Sequence, residues 1–283
     1  MKKQTLVGNI ITYIIVGFVA VIALFPIIYT VASSFKTNAE ILAFPERIFP
    51  RNPSFENYIT AWNSEDFNIK QMFWNSTYYT VICVFVTLLS STMAGYVFTR
   101  GEFPGKKLIF AVFSATMFIS LGTITVYPLF DILTAINLNR SLWGLILVKI
   151  FSISIVNIYL SRSFIKTIPT ALDEAAIIDG CSFISIFFRI ILPMIKPITA
   201  TIGILAFQSS WNEYLMPSIF TTSVPSQRTL IVGVVALKNS GDGAASWNLM
   251  LAGSTVALIP VLIAYAIGNK YFVSGMTAGA VKG

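Results

Sequence analysis

Six stretches of this sequence run for 20 to 26 residues with almost no charge: residues 8–33, 75–99, 108–130, 141–161, 197–216 and 248–269. A hydrocarbon core about 30 Å thick is crossed by about 20 residues of helix. Inside lipid every backbone N–H and C=O must be paired within the segment, so such runs are expected to be helices. Together they take up about half of the 283 residues. With 55% apolar and only 11% charged residues, too few solvating side chains remain to coat a water-soluble globule of this size. The expected fold is all-α and polytopic, a single membrane domain over residues 1–283 with six transmembrane helices. Pro26, Pro128 and Pro260 are expected to kink their spans. The first run has the outline of a signal peptide, but its apolar part exceeds the usual 7 to 15 residues, so it reads as an uncleaved anchor.

The loops give the chain a direction. An even number of spans leaves both termini on one side, and the positive-inside rule selects which. With the termini inside, the inner pieces (1–7, 100–107, 162–196 and 270–283) hold 11 Lys and Arg in 64 positions, against four acids. The outer pieces hold 7 basic residues in 82, cancelled by seven acids. The net charge of +7 therefore belongs to the inner side, and both termini are expected in the cytoplasm of a bacterial cell membrane. Charge this sparse points to a lipid surface and to no nucleic acid.

Several chemistries lack their residues. There is no histidine, so imidazole acid–base catalysis and His-bound metals have nothing to work with, and no catalytic or metal-binding residue is expected. Cys83 and Cys181 suggest reduced thiols rather than a disulfide framework. No GxxxxGK[ST] phosphate loop occurs, so the chain is not itself a nucleotide hydrolase.

The inner loop 162–196 is coded for helix yet too short and polar to cross. Thr170 followed by Asp173 has the spacing of a capping box, and Asp173 and Glu174 sit where acids favour the helix dipole. Gly180 is suited to a left-handed stop. Ser182 is placed to cap a second helix, in which Phe183, Ile186, Phe187, Ile190 and Ile191 form one apolar stripe. Pro193 and Pro197 are expected to break the pattern before the fifth span. Three acids in the first helix argue against a hairpin lying on anionic lipid, the competing reading.

This loop, Asp173-Glu174-Ala175-Ala176-Ile177-Ile178-Asp179-Gly180 followed by Arg189-Ile190-Ile191-Leu192-Pro193 and then Pro197, closely resembles the EAA loop of ABC importer permeases. Trp211-Asn212-Glu213-Tyr214, Asn75-Ser76, Ala94-Gly95-Tyr96 with Arg100, and the terminal run 274–283 are similar to the carbohydrate-uptake branch, most of all to the shorter permease of maltose-type oligosaccharide importers. Cys181 departs from the family's usual alanine or other small residue.

The resemblance implies a type I ABC importer permease fold, pairing with a second, homologous permease as a heterodimer. It also implies two ATPase subunits that use ATP and Mg, no cofactor on this chain, and an extracellular solute-binding protein. Asp173, Glu174, Ala175, Ala176, Asp179, Gly180 and Pro193 would then couple to the ATPase: the alanines by allowing close approach, the acids by meeting donors, and Gly180 by setting the angle to the next helix.

Intramembrane charge is costly, about 2.5 to 3.5 kcal/mol at a helix centre, and only Lys149 and Glu213 lie within the spans. They are read either as facing a solute pathway at comparable depth, or as a snorkelling lysine and a wetted carboxylate. Gln208, Trp211 and Asn212, with Tyr127, Thr123 and Asn157, offer hydrogen bonds and aromatic faces to a sugar, or ordinary helix-to-helix packing. Within the family, glycerol-phosphodiester uptake is the alternative to an oligosaccharide. An ion-coupled carrier would rest on Glu213 alone, and an intramembrane enzyme has no catalytic set.

Overall fold

The computed structural model describes residues 6–119, 122–239 and 246–280. Residues 1–5, with Lys2 and Lys3, and the last three residues of the terminal run lie outside them. Among the described residues there is no strand. In chain order the helices are α1 (Leu6–Ser33), α2 (Asn38–Ala43), α3 (Glu56–Asn63), α4 (Ile69–Arg100), α5 (Lys106–Ala115), α6 (Val126–Ala135), α7 (Leu142–Phe151) and α8 (Ile155–Ile165). They continue as α9 (Ala171–Ile178), α10 (Phe183–Ile186), α11 (Leu192–Met194), α12 (Lys196–Trp211), α13 (Leu215–Thr221), α14 (Leu230–Asn239) and α15 (Trp247–Ala280).

Three of these are long and apolar enough to cross a bilayer by themselves: α1, α4 and the Trp247–Gly268 part of α15. The count reaches six if each of three broken pairs forms one span. Run 108–130 is divided between α5 and α6, with 3-10 turns at Thr116–Phe118 and Gly122–Thr125 between them. Run 141–161 is divided between α7 and α8, which meet at 45°. Hydropathy registers neither break, because both arise in the backbone. Gly122 takes a left-handed φ of 53°, and Ser152 closes α7 by donating from its N–H and its hydroxyl to the Lys149 carbonyl at 3.2 and 3.0 Å. Helical assignment runs on through Pro26 in α1 and Pro260 in α15, while Pro128 falls in the first turn of α6, where its missing N–H is harmless.

The described chain forms two compact units. The first comprises residues up to Met72 together with Leu230–Ile259. Asn57 organises its non-helical part: its amide donates to the carbonyls of Ser34 (2.7 Å) and Lys36 (2.8 Å) and accepts from Asn248 (2.7 Å). Lys36 is 1% exposed, beside the Tyr29 ring, with its ammonium donating to the Arg47 carbonyl. Burial holds its pKa below the ordinary lysine value, with Glu40 and Glu46 partly opposing the shift. None of the apolar span of α1 is buried by the rest of the chain, so lipid or another subunit must cover it.

The second unit spans Phe73–Thr229 and the chain from Pro260. One buried cluster gathers Tyr96 of α4, Ile165 and Ile168, Ala176 of α9, and Ile186, Phe187 and Ile191 of the following hairpin. Another gathers Tyr79 and Cys83 of α4 with Leu133, Leu142, Leu145 and Phe220. α4 passes through both, and it does so by approaching α8 closely at Gly95. A Cβ there would lie 2.6 Å from the Ser161 hydroxyl and 2.8 Å from Ser161 Cβ. Gly95→Val is therefore expected to cost about 2 kcal/mol by overpacking and to lower the Tm of the purified complex; an unchanged Tm would contradict the contact.

Candidate functional site: the α9 hairpin and the Lys149–Glu213 cavity

The eight residues of α9 present two faces of different character. Pro169 precedes the helix, but the expected capping box does not form. Thr170 already has helical dihedrals (φ −66°, ψ −23°) and its side chain makes no cap hydrogen bond. Asp173 has a stronger partner elsewhere: the Arg100 guanidinium donates from Nε to its carboxylate at 3.0 Å and from a terminal nitrogen to the Ile168 carbonyl at 2.6 Å. Both side chains are nearly excluded from solvent, 12% and 11% exposed, where charges attract more strongly than in water. The other Asp173 oxygen is buried without a partner.

The C-terminal stop is as expected, and more complete. Gly180 adopts φ 80°, its N–H donates to the Ile177 carbonyl at 3.0 Å, and the Cys181 N–H donates to the Ala176 carbonyl at 2.9 Å. These are the two bonds of a Schellman motif, and the accompanying apolar contact is present as Ala176 and Cys181 join one buried cluster. Ser182 then caps the next helix by accepting from the Ser185 N–H at 3.3 Å. The expected stripe is buried at Ile186, Phe187 and Ile191, half-buried at Ile190 and exposed at Phe183. Pro193 does not break this helix. A π-turn over Phe187–Ile191, closed by the Leu192 N–H on the Phe187 carbonyl, carries the chain into α11. The break falls at Ile195, where the chain turns by 84° into α12 with Pro197 in its first turn.

The residues implied in coupling thus part company. Asp173 and Ala176 are buried against the chain itself. Glu174, Ala175, Asp179 and Gly180 are exposed, as is Pro193. With them stand Ile177 at 62% and Ile178 at 86% exposed, which sequence reasoning missed as surface residues. Their adjacency was the available signal: on an eight-residue helix already buried through Ala176, two successive isoleucines cannot both turn inward.

Of the residues considered for a solute pathway, Lys149 and Glu213 share one cavity. Both line a cavity of about 170 Å³, with Tyr79 and Ser152. They form no direct ion pair, and Glu213 instead accepts from the Tyr79 hydroxyl at 2.9 Å. Trp211 is buried, edge-on to Phe73 and stacked on Phe207 with both centroid distances 5.8 Å, so its ring serves packing. Gln208 and Asn212 are exposed, and the Asn212 side chain returns to the Gln208 carbonyl at 2.9 Å, closing α12. Tyr127 is 74% exposed and does not line the cavity, and Asn157 is buried on α8.

The sequence family described as "Binding-protein-dependent transport system inner membrane component" matches residues 73–277. The sulfoquinovosyl glycerol transport system permease protein of Agrobacterium fabrum is 34% identical over 277 residues, 98% of this chain and 95% of that one. The galactooligosaccharides transport system permease protein of Bacillus subtilis is 32% identical over 288 residues, 100% and 99% of the two chains. The crystal structure of a bacterial ABC transporter involved in the import of the acidic polysaccharide alginate contains a chain of the same fold, with TM-score 0.79 and 24% identity, covering 96% of this chain and 99% of that one.

This chain belongs to the family of binding-protein-dependent transport system inner membrane components. It is a multi-pass permease subunit of a bacterial ATP-driven importer, resident in the inner membrane. It is not an enzyme: in this family ATP is hydrolysed by partner subunits, and transport depends on a binding protein.

The two faces of α9 are distinguishable by mutation. Asp173→Ala leaves the Arg100 charge buried without its partner and is expected to cost about 3 kcal/mol. Glu174→Ala, on the exposed face, is expected to change stability by less than about 0.5 kcal/mol. Thermal unfolding of the purified complex measures both, and equal losses would refute the division.

Proposed function

We propose that this chain is one half of the membrane channel of an oligosaccharide importer, and that the exposed face of α9 is where an ATPase subunit engages it. The observation that carries the reading is the contrast within one short helix: Asp173 and Ala176 hold it from behind, while Glu174, Ala175, Ile177, Ile178 and Asp179 are presented outward. Two large isoleucines and two carboxylates on a fixed scaffold suit a groove with an apolar floor and basic or backbone donors at its rim.

In this reading the whole of residues 1–283 is one permease domain. The bent pairs complete six spans, both termini are cytoplasmic, and the α9 loop lies on the cytoplasmic side, in keeping with the excess of Lys and Arg there. The uncovered α1 supports pairing with a second, homologous permease to make a heterodimer. Two ATPase subunits use ATP and Mg, and this chain binds neither. Closure of those subunits displaces α9, and the spans pass from inward-facing to outward-facing, where the binding protein releases solute. The Lys149–Glu213 cavity lies on the solute's route. An oligosaccharide is the solute favoured by relatives whose names record galactooligosaccharides and arabinooligosaccharides, and by a structural neighbour involved in alginate import.

Glu174→Arg and Gly180→Pro are each expected to abolish co-purification of the ATPase subunit, with a fall in uptake of at least about tenfold. In the same proteoliposomes, the wild-type complex is expected to accumulate a member of a panel of galacto-, arabino- and chito-oligosaccharides. Uptake of glycerol phosphodiesters alone, or uptake that continues without any ATPase subunit, would refute the proposal.

A further inference from the structure

Three helical routes leave the α9 assembly, and they differ in continuity. Backward along the chain the route enters α8, and its continuation through α7 is bent by 45°. Forward it passes through the hairpin, the π-turn and the 84° bend before α12. The third route is lateral, into α4, which is a single helix with no break from Ile69 to Arg100.

The lateral attachment is also the most specific. The Arg100 guanidinium holds Asp173 of α9 at 3.0 Å and the carbonyl of Ile168, just before α9, at 2.6 Å. One turn back, the Tyr96 ring lies 4.4 Å from Phe183 and 5.5 Å from Phe187, just after α9. The last two turns of α4 thus grip α9 itself and the chain on both sides of it. Toward its other end, α4 places the Tyr79 hydroxyl on Glu213 at 2.9 Å and the Asn75 amide on the carbonyls of Ser226 and Arg228 at 2.8 and 2.9 Å. Tyr79 and Arg100 are separated by about 32 Å of helix at ~1.5 Å per residue.

We infer that Arg100 is a positioning residue for transport: by locking α9 to the end of α4, it makes α4 the rod that carries a displacement of α9 to the Tyr79–Glu213 cavity. The inference rests on the reading that α9 receives the ATPase. It asks more of the pair than stability, because a merely structural Arg100–Asp173 contact would affect assembly, hydrolysis and transport alike, whereas a coupling contact separates hydrolysis from transport.

The test uses the full complex with its ATPase subunits and binding protein. It compares wild type with Arg100→Gln, which removes the charge and, ending at the position of Nε, gives up the bond to the Ile168 carbonyl. One readout is solute moved per ATP hydrolysed, with the panel oligosaccharide that wild type accumulates. The other is the nucleotide-dependent change in distance between spin labels at Val81 on α4, 60% exposed, and Ile150 on α7, 48% exposed, in a Cys83→Ala, Cys181→Ser background. Arg100→Gln is expected to keep its ATPase subunits and hydrolyse ATP within about twofold of wild type, to move about tenfold less solute per ATP, and to lose the distance change.

A wild-type ratio with an intact distance change would overturn the inference, and so would a parallel fall in assembly, hydrolysis and uptake. Phe183→Ala, which removes the Tyr96 contact and leaves the ion pair, is expected to lower the ratio in the same direction. If Arg100→Gln fails to fold, an unchanged ratio in Phe183→Ala overturns the inference. A wild-type complex that accumulates none of the panel would instead count against the proposed solute, with the Val81–Ile150 distance still deciding the role of Arg100.

Discussion

A buried ion pair joins residues 73 positions apart and fixes which face of α9 is left exposed. Such a pair contributes little net stability, since desolvation of two charges offsets most of their attraction. What it supplies is uniqueness of placement: α9 has only eight residues, too few to be stable as a helix alone, and it needs a tertiary anchor to hold one orientation. Asp173 is that anchor. Because its carboxylate is taken by Arg100, the helix is rotated so that Ala176 is buried and Glu174, Ala175, Ile178 and Asp179 are left outside.

The same anchoring links local helix chemistry to the remote cavity. Gly180 in its left-handed conformation and the hydroxyl of Ser182 end one helix and begin the next within a few residues, so the hairpin has little slack. The apolar cluster beneath it is built from isoleucines and aromatic rings of α4, α9 and the hairpin together. The π-turn and the 84° bend lie within that cluster, which continues through Ile191 and Ile195 into α12 at Ile198 and Ile202.

Much of this was legible in the sequence, for identifiable reasons. The apolar runs marked the helices because lipid demands length and low charge, and Gly180 and Ser182 marked a helix end and start because few residues serve those positions. The Asp173–Arg100 pair was not legible, since nothing local announces a partner 73 positions away, and so Thr170 and Asp173 read as a capping box that a stronger tertiary bond displaces. Breaks near Gly122 and at Ser152 were hidden because hydropathy averages over the backbone. Trp211 suits a sugar face or, more readily, helix packing, and the rings of Phe73 and Phe207 hold it in packing. Lys149 and Glu213 were recognised by cost alone and do share a cavity, although Glu213 is held by a tyrosine rather than by the lysine.

The central claim is that α9 turns one face to an ATPase subunit and keeps the other for its own chain. Photo-cross-linking from single positions in the assembled complex tests it most directly. A photoreactive side chain at Ala175 or Ile178 is predicted to capture the ATPase subunit, and one at Ala176 to capture only residues of the permease. Capture of the ATPase from Ala176, or none from Ala175 and Ile178 in a complex that still transports, would contradict the account.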